Sequence, residues 1–209
     1  AREIARECIV LLQNKDAFLP LSKETAYRGG RAKIGIVGAF AKDSPRYQGM
    51  GSAHVTPTKV TSLYDALESM FGIRQNSLGP VIPFAKGYDP DADDDSVQQS
   101  LIDAAVSICK RQELETLVVS VGLPEIAESE GFDRKHLRLP KQHISLVEAL
   151  LKVHPNVVVV LSNGGIAEIP QSFVDGAKAI LDGFLLGQAG RSEEHTSELQ
   201  SHSDLVCRL

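Results

Sequence analysis

The sequence predicts an α/β domain built on a doubly wound, mostly parallel sheet with helices on both faces. The runs Ile34-Gly35-Ile36-Val37, Leu117-Val118-Val119-Ser120-Val121 and Val157-Val158-Val159-Val160-Leu161 are apolar almost throughout, as parallel strands covered on both faces are. Segments of helical periodicity fill the intervals between them. Each run also ends in a polar loop carrying glycine, at the strand edge where open α/β sheets present their ligand sites.

Taken in order, residues 2 to 12, REIARECIVLL, place Ile4, Cys8, Leu11 and Leu12 at helical spacing and predict an amphipathic lead-in helix. Asn14-Lys15-Asp16 marks a turn before Phe18-Leu19-Pro20-Leu21. A basic link from Tyr27 to Lys33 feeds the Ile34 strand, which ends at Gly38. A dinucleotide fingerprint needs a third glycine and an immediate helix. Neither follows.

Residues 41 to 59 form a long polar loop containing Arg46-Tyr47-Gln48-Gly49-Met50-Gly51-Ser52. Connectors in such folds are usually about two to six residues, so this length reads either as a binding loop on a rigid scaffold or as a solvated excursion. In the first case its serine and arginine can hydrogen-bond a polyol. Thr61 to Phe71 predicts a helix capped by Thr61 or Ser62, with Leu63, Ala66, Leu67 and Met70 inward.

Val81 to Ala85 predicts an edge strand. The acidic run from Tyr88 to Asp95 imitates half a calcium loop, but Asp94 stands at the sixth position and Ser100 at the twelfth, where glycine and glutamate are needed. It reads as a solvated turn capping the next helix, Ser96 to about Arg111. Pro140 opens a helix from Lys141 to Val153, stopped by His154-Pro155-Asn156. After the Val157 strand comes the loop Ser162-Asn163-Gly164-Gly165. A short helix at Gln171 to Val174 and a last strand, Ala179-Ile180-Leu181, complete the alternation.

With 209 residues, 43% apolar and 23% charged, the composition is that of one domain with one substantial core. The net charge of -5 and scattered basic residues argue against nucleic acid. No apolar run is long enough for a membrane span, and the start lacks a signal peptide's architecture. Ala1 in place of Met reads as a missing beginning. Cys8, Cys109 and Cys207 have no metal spacing and cannot all pair, which leans toward a reducing, cytoplasmic setting. No cofactor or metal is expected.

The stretch VVSVGLPEIAESEGFDRKHLRLP, residues 118 to 140, concentrates the candidate chemistry. A buried strand breaks at Gly122 and Pro124 into a loop bearing Glu125, Glu128 and Glu130. Glu130 is the candidate reactive carboxyl and Glu128 the fallback. The alternative is that these acids only keep a mobile loop soluble.

From Arg191 onward apolar periodicity collapses. RSEEHTSELQS resembles the translated read-through of a sequencing adapter. Residues 191 to 209 are therefore set aside as a non-native tail, His195, His202 and Cys207 with them.

Several stretches jointly resemble one family, the C-terminal α/β-sandwich domain of glycoside hydrolase family 3, the β-glucosidase and β-xylosidase group. They are Arg6 to Asn14, Lys33 to Gly38, Arg46 to Ser52, Glu128 to Arg134, Leu139-Pro140 and Gly187-Gln188. They lie in the family's order across residues 1 to 190. The resemblance implies retaining hydrolysis of a terminal β-linked sugar, most simply a β-glucoside or oligosaccharide. The nucleophilic aspartate is then expected on a preceding TIM-barrel domain and the acid/base glutamate on this one, at Glu130.

Retaining hydrolysis uses two carboxyl groups about 5 to 5.5 Å apart. The acid must hold its proton near neutral pH, which burial or a neighbouring negative charge can arrange. Glu128 or Asp133 is the expected source of that charge, opposed by Arg134. The loop ending at Ser52 resembles the segment that reaches over the barrel, making Ser52 and Arg46 candidate sugar-binding residues. Met50 stands where the family usually has glycine.

A domain carrying the proton donor without the nucleophile is expected to be inactive alone. The competing readings are a noncatalytic carbohydrate-binding or scaffold domain and a free-standing flavodoxin-like ligand domain.

Overall fold

The computed structural model describes residues 5, 7–29, 31–52, 54–70, 82–92, 95–111, 113–131 and 133–188. The tail set aside from the sequence lies outside them, as does Val81. The strands are β1 (Val10–Asn14), β2 (Tyr27–Arg28), β3 (Arg31–Ala32), β4 (Ile34–Val37), β5 (Phe84–Ala85), β6 (Thr116–Gly122), β7 (Val157–Ser162) and β8 (Ala179–Asp182). The helices are α1 (Lys23–Ala26), α2 (Leu63–Met70), α3 (Asp95–Arg111), α4 (Lys141–Leu151) and α5 (Gln171–Gly176).

Six strands form one sheet in the order β1-β8-β7-β6-β4-β5, and β2 pairs with β3 in a separate hairpin. Every pairing in the large sheet is parallel except β1 with β8. After β4 the chain first steps outward to β5 and then crosses back to β6 on the other side of β4. The sheet is thus wound both ways from β4, and its switch point lies between β4 and β6.

All seven residues of β6 and all six of β7 are buried. Period-two alternation sorts them onto opposite faces. Leu117, Val119, Val121, Val157, Val159 and Leu161 join the core beneath α3, α4 and α5. Val118, Val158 and Val160 pack with Leu63, Tyr64 and Leu67 of α2 and with Ile9 and Leu19. Each such side chain withdrawn from water contributes about 1.5–3 kcal/mol relative to exposure, so the central strands anchor both layers.

Helix starts follow their sequence signals. The Ser62 hydroxyl accepts the Asp65 N–H at 3.0 Å, capping α2. Gln98 of α3 accepts the Asp89 N–H at 3.0 Å and donates to the carbonyls of Asp89 (2.7 Å) and Ala92 (2.6 Å), tying the acidic turn to the helix. Phe84 and Ala85 form the expected edge strand against β4.

The lead-in helix needs correction. Ala5, Glu7 and Cys8 are helical, but Val10 to Asn14 run as a strand antiparallel to β8, with a register shift between Leu11 and Gln13. Leu11 and Leu12 are exposed rather than turned inward. The cause is tertiary: β8 ends the parallel array and offers a row of unpaired backbone groups, which the nearby chain satisfies as a strand. Gln13 adds a side-chain hydrogen bond to the Ala177 carbonyl at 2.8 Å.

Candidate active site

The parallel strands all point their carboxyl ends the same way, so the loops after β4, β6 and β7 gather on one edge of the sheet. The first two flank the switch point. All four sequence-predicted site residues lie there: Arg46 and Ser52 after β4, Glu128 and Glu130 after β6.

β6 leaves the sheet at Gly122. A Cβ on Gly122 would lie 1.9 Å from the Ser162 carbonyl oxygen, so β6 and β7 can approach this closely only because glycine is present. A short 3-10 turn, Glu125–Glu128, follows. Ser129 then forms a parallel bridge with Met50, and the Glu130 N–H reaches the Met50 carbonyl at 3.4 Å. Met50 is thus accommodated as a backbone partner, with its side chain exposed.

Glu130 itself is exposed, and its Oε2 accepts the Ser52 N–H at 2.7 Å. The Ser52 backbone amide, and with it the Ser52 side chain, holds the carboxyl below the usual glutamate range, with desolvation opposing weakly. The elevation expected from Glu128 or Asp133 does not occur in this domain. Glu128 points its charge elsewhere, and the weak desolvation of exposed Glu130 does not offset its hydrogen bonds from Ser52.

Glu128 is engaged on every side. Its carboxylate accepts the Gly164 N–H on both oxygens at 2.8 Å, the Gly165 N–H at 2.7 Å and Arg46 Nη2 at 3.0 Å. Arg46, with its side chain 3% exposed, is committed equally fully. Its Nε donates to the Leu123 carbonyl at 2.8 Å, Nη1 to the Gln48 carbonyl at 2.8 Å, and Nη1 lies 3.2 Å from Glu125. Gln48 closes its own loop through both amide atoms to Val55. The Tyr47 carbonyl accepts the Gly187 N–H at 2.9 Å, and the Gln188 carbonyl accepts the Thr61 N–H at 3.1 Å. The motif at Gly187-Gln188 therefore braces the long loop from the β8 side.

Sequence reasoning missed three groups. Asp182, at the end of β8, has its carboxyl pushed up by burial, against hydrogen bonds from the Phe184 N–H and Asn163 and with the Glu128 charge reinforcing the rise. His143 is fully buried beside Gly122, its Nδ1 2.9 Å from the Gly122 carbonyl, and packs against Phe40 and Tyr88. A lone histidine inside the apolar stripe of α4 was the available signal. The Gly164 and Gly165 amides carry no side-chain signal at all. Arg134 donates to the Ile166 carbonyl at 2.9 Å rather than to a carboxylate. Among the described residues no cluster of His, Cys, Asp and Glu could hold a metal ion, and no helix is long and apolar enough to cross a membrane.

Residues 9–194 match the family model of the glycosyl hydrolase family 3 C-terminal domain. The chain belongs to glycosyl hydrolase family 3. It is 38% identical over 189 residues to thermostable beta-glucosidase B of Acetivibrio thermocellus, covering 90% of this chain and 22% of that protein. It is 41% identical over 192 residues to an exo-alpha-(1->6)-L-arabinopyranosidase of Bifidobacterium breve, covering 91% of this chain and 24% of that one. Among solved structures, a GH3 beta-glucosidase of Bifidobacterium adolescentis superposes with a TM-score of 0.75 at 38% identity, over 91% of this chain and 25% of the other. The chain thus spans about a quarter of the length of these family 3 relatives. Its resemblance is to their C-terminal domain.

Proposed function

We propose that the chain is the acid/base domain of a retaining β-glycosidase, most simply a β-glucosidase acting on terminal β-linked sugars. Glu130 serves as general acid/base, and the aspartate nucleophile comes from a preceding (β/α)₈ domain of the same polypeptide. The observation that carries this is the contrast between two glutamates on one loop. Glu128 has no free lone pair directed at solvent, while Glu130, two residues on, is exposed and held by Ser52.

Ionised Glu130 is ready for the second half of the reaction, in which the carboxylate takes a proton from water. The first half needs it protonated. Covering the loop with a second domain and a sugar adds to the weak desolvation within this domain and raises the pKa. Met50, Val55, Ile126, Leu137 and Ile166, all exposed, lie on the loops around Glu130, which supports docking of another domain on this edge. Ser52 is placed to touch the sugar beside Glu130. Arg46, buried and fully bonded, acts on the loops rather than on the substrate.

Replacing Glu130 with alanine in the full-length enzyme tests this. Turnover of substrates with poor leaving groups falls by about 10²–10⁴-fold, and azide restores turnover of activated ones by intercepting the glycosyl intermediate. Unchanged kinetics would indicate a noncatalytic scaffold or carbohydrate-binding role instead. On this reading the chain alone is expected to hydrolyse no glycoside, because the carboxyl group that acts as nucleophile belongs to the other domain.

A further inference from the structure

We infer that Glu128 is a positioning residue, fastening the loop that bears Glu130 to the loops after β4 and β7 so that Glu130 is presented over Ser52. This rests on Glu130 being the acid/base, and it gives Glu128 a duty distinct from proton transfer.

The argument starts from the hydrogen-bond inventory. A carboxylate offers about four lone-pair directions. Those of Glu128 meet two successive backbone amides, Gly164 and Gly165, and one guanidinium nitrogen of Arg46. Its side chain is 9% exposed. Neighbouring amides converging on one carboxylate form an anion-binding nest, and here the anion is supplied by the chain itself.

Arg46 then carries the connection onward. Through the Leu123 carbonyl it grips the exit of β6, and through the Gln48 carbonyl it grips the loop that contains Gly51 and Ser52. That loop returns to the Glu130 strand by the Met50 to Ser129 bridge and the Ser52 amide. The contacts close a ring: Glu128, Arg46, Gln48, Ser52, Glu130 and back along the chain to Glu128. Three loops that share no sequence continuity are fixed relative to one another by one buried ion pair.

The ring also explains why Glu128 must be charged. A glutamine in its place turns an NH₂ group toward amide N–H donors that need acceptors, so at least one of the Gly164, Gly165 or Arg46 bonds is lost.

The test has one arm on this chain and one on the full-length enzyme. In the 209-residue chain, an amide spectrum recorded through an acid titration follows Glu130 through the Ser52 N–H. With Glu128→Gln, the low Ser52 titration midpoint is expected to move up toward the ordinary glutamate value, about 4.3, or the response to vanish, while resonances of Val118 and Val159 stay in place. An unshifted Ser52 titration overturns the inference.

In the full-length enzyme, Glu128→Gln is expected to lower kcat about 10²-fold, the scale of a misplaced catalytic group, with KM little changed. The basic limb of the pH profile is retained and no glycosyl azide forms. Formation of glycosyl azide, loss of the basic limb, or unchanged kcat each overturns it.

Arg46→Lys, which keeps the charge but cannot span three acceptors, guards against a Glu128 variant that fails to fold. It is expected to move the Ser52 titration the same way. Combined with Glu128→Gln it should cost little more than the worse single variant, since both break one ring; additive losses overturn the inference. Glu130→Ala separates the two proposals. If it leaves kinetics intact the acid/base assignment fails, whereas the Ser52 titration judges the positioning role alone.

Discussion

Gly51 lies directly against Glu130. A Cβ on Gly51 would fall 2.5 Å from the Glu130 Cβ and 2.6 Å from its Oε2, and the Gly51 backbone sits at φ +119, where L side chains are strained. The candidate acid/base therefore rests on a surface that only glycine supplies, and the next amide along, Ser52, is its hydrogen-bond donor.

Gly51→Ala should accordingly push Glu130 off this seat without disturbing the sheet. The expected cost in stability is about 1 kcal/mol or somewhat more. In the full-length enzyme kcat should fall about 10²-fold, as for a misplaced reacting group. Steady-state kinetics beside a circular dichroism melt would check both, and full turnover with the melt lowered would show that the seat does not matter.

Removing Arg46 leaves Glu128 buried without its cation and strips donors from two carbonyls. Arg46→Ala is expected to destabilise the chain by about 3–5 kcal/mol, the scale for breaking one partner of a buried pair. Urea unfolding measures it. A loss under 1 kcal/mol would mean that the pair is replaced readily by water.

His143 gives a pH dependence whose sign can be worked out. Burial drives its pKa down to about 3, the Gly122 hydrogen bond opposing. The folded value lies below the unfolded value of about 6.5, so the neutral ring's contribution is complete above pH 6.5 and is lost as pH falls from there toward 3. Stability should thus decline by up to about 1.4 kcal/mol per pH unit between pH 6 and 5, before most carboxyl groups titrate. Urea midpoints for the chain and for His143→Phe decide it: the variant starts less stable but has a flatter slope over that interval.

The β1 strand can be told from a helix by substitution. As a helix, residues 2 to 12 would turn Leu11 and Leu12 inward; with the strand from Val10 both are exposed, and Ile9 just before it is buried at 4% exposure. Leu12→Lys should change the stability of the chain by no more than about 0.5 kcal/mol, and Ile9→Ala should cost about 2–5 kcal/mol. The reverse ranking, read from thermal melts, would restore the helix.

That strand also shows what the sequence alone could and could not convey. β6 and β7 were legible because both faces are covered, which makes them apolar almost throughout, Thr116, Ser120 and Ser162 excepted. The position of Glu130 was legible because glycine and proline mark where β6 must end. β1 was not, since an exposed edge strand imposes no alternation and its pairing with β8 is decided 170 residues later. The duty of Arg46 was hidden for the same reason: its acceptors at Leu123 and Glu128 lie 77 and 82 residues away. What holds the Glu130 carboxyl low in this domain was hidden too, because its partner, Ser52, lies 78 residues away.

The pairing of Val10 with Asp182 has a consequence for biosynthesis. β1 waits for β8, so the two cannot pair until Ala179 to Asp182 have emerged. Contacts between such distant positions slow folding. Nascent chains stalled short of Ala179 expose the bare edge of β7 and a partnerless β1 together, two surfaces suited to pairing with each other's copies in a crowded polysome.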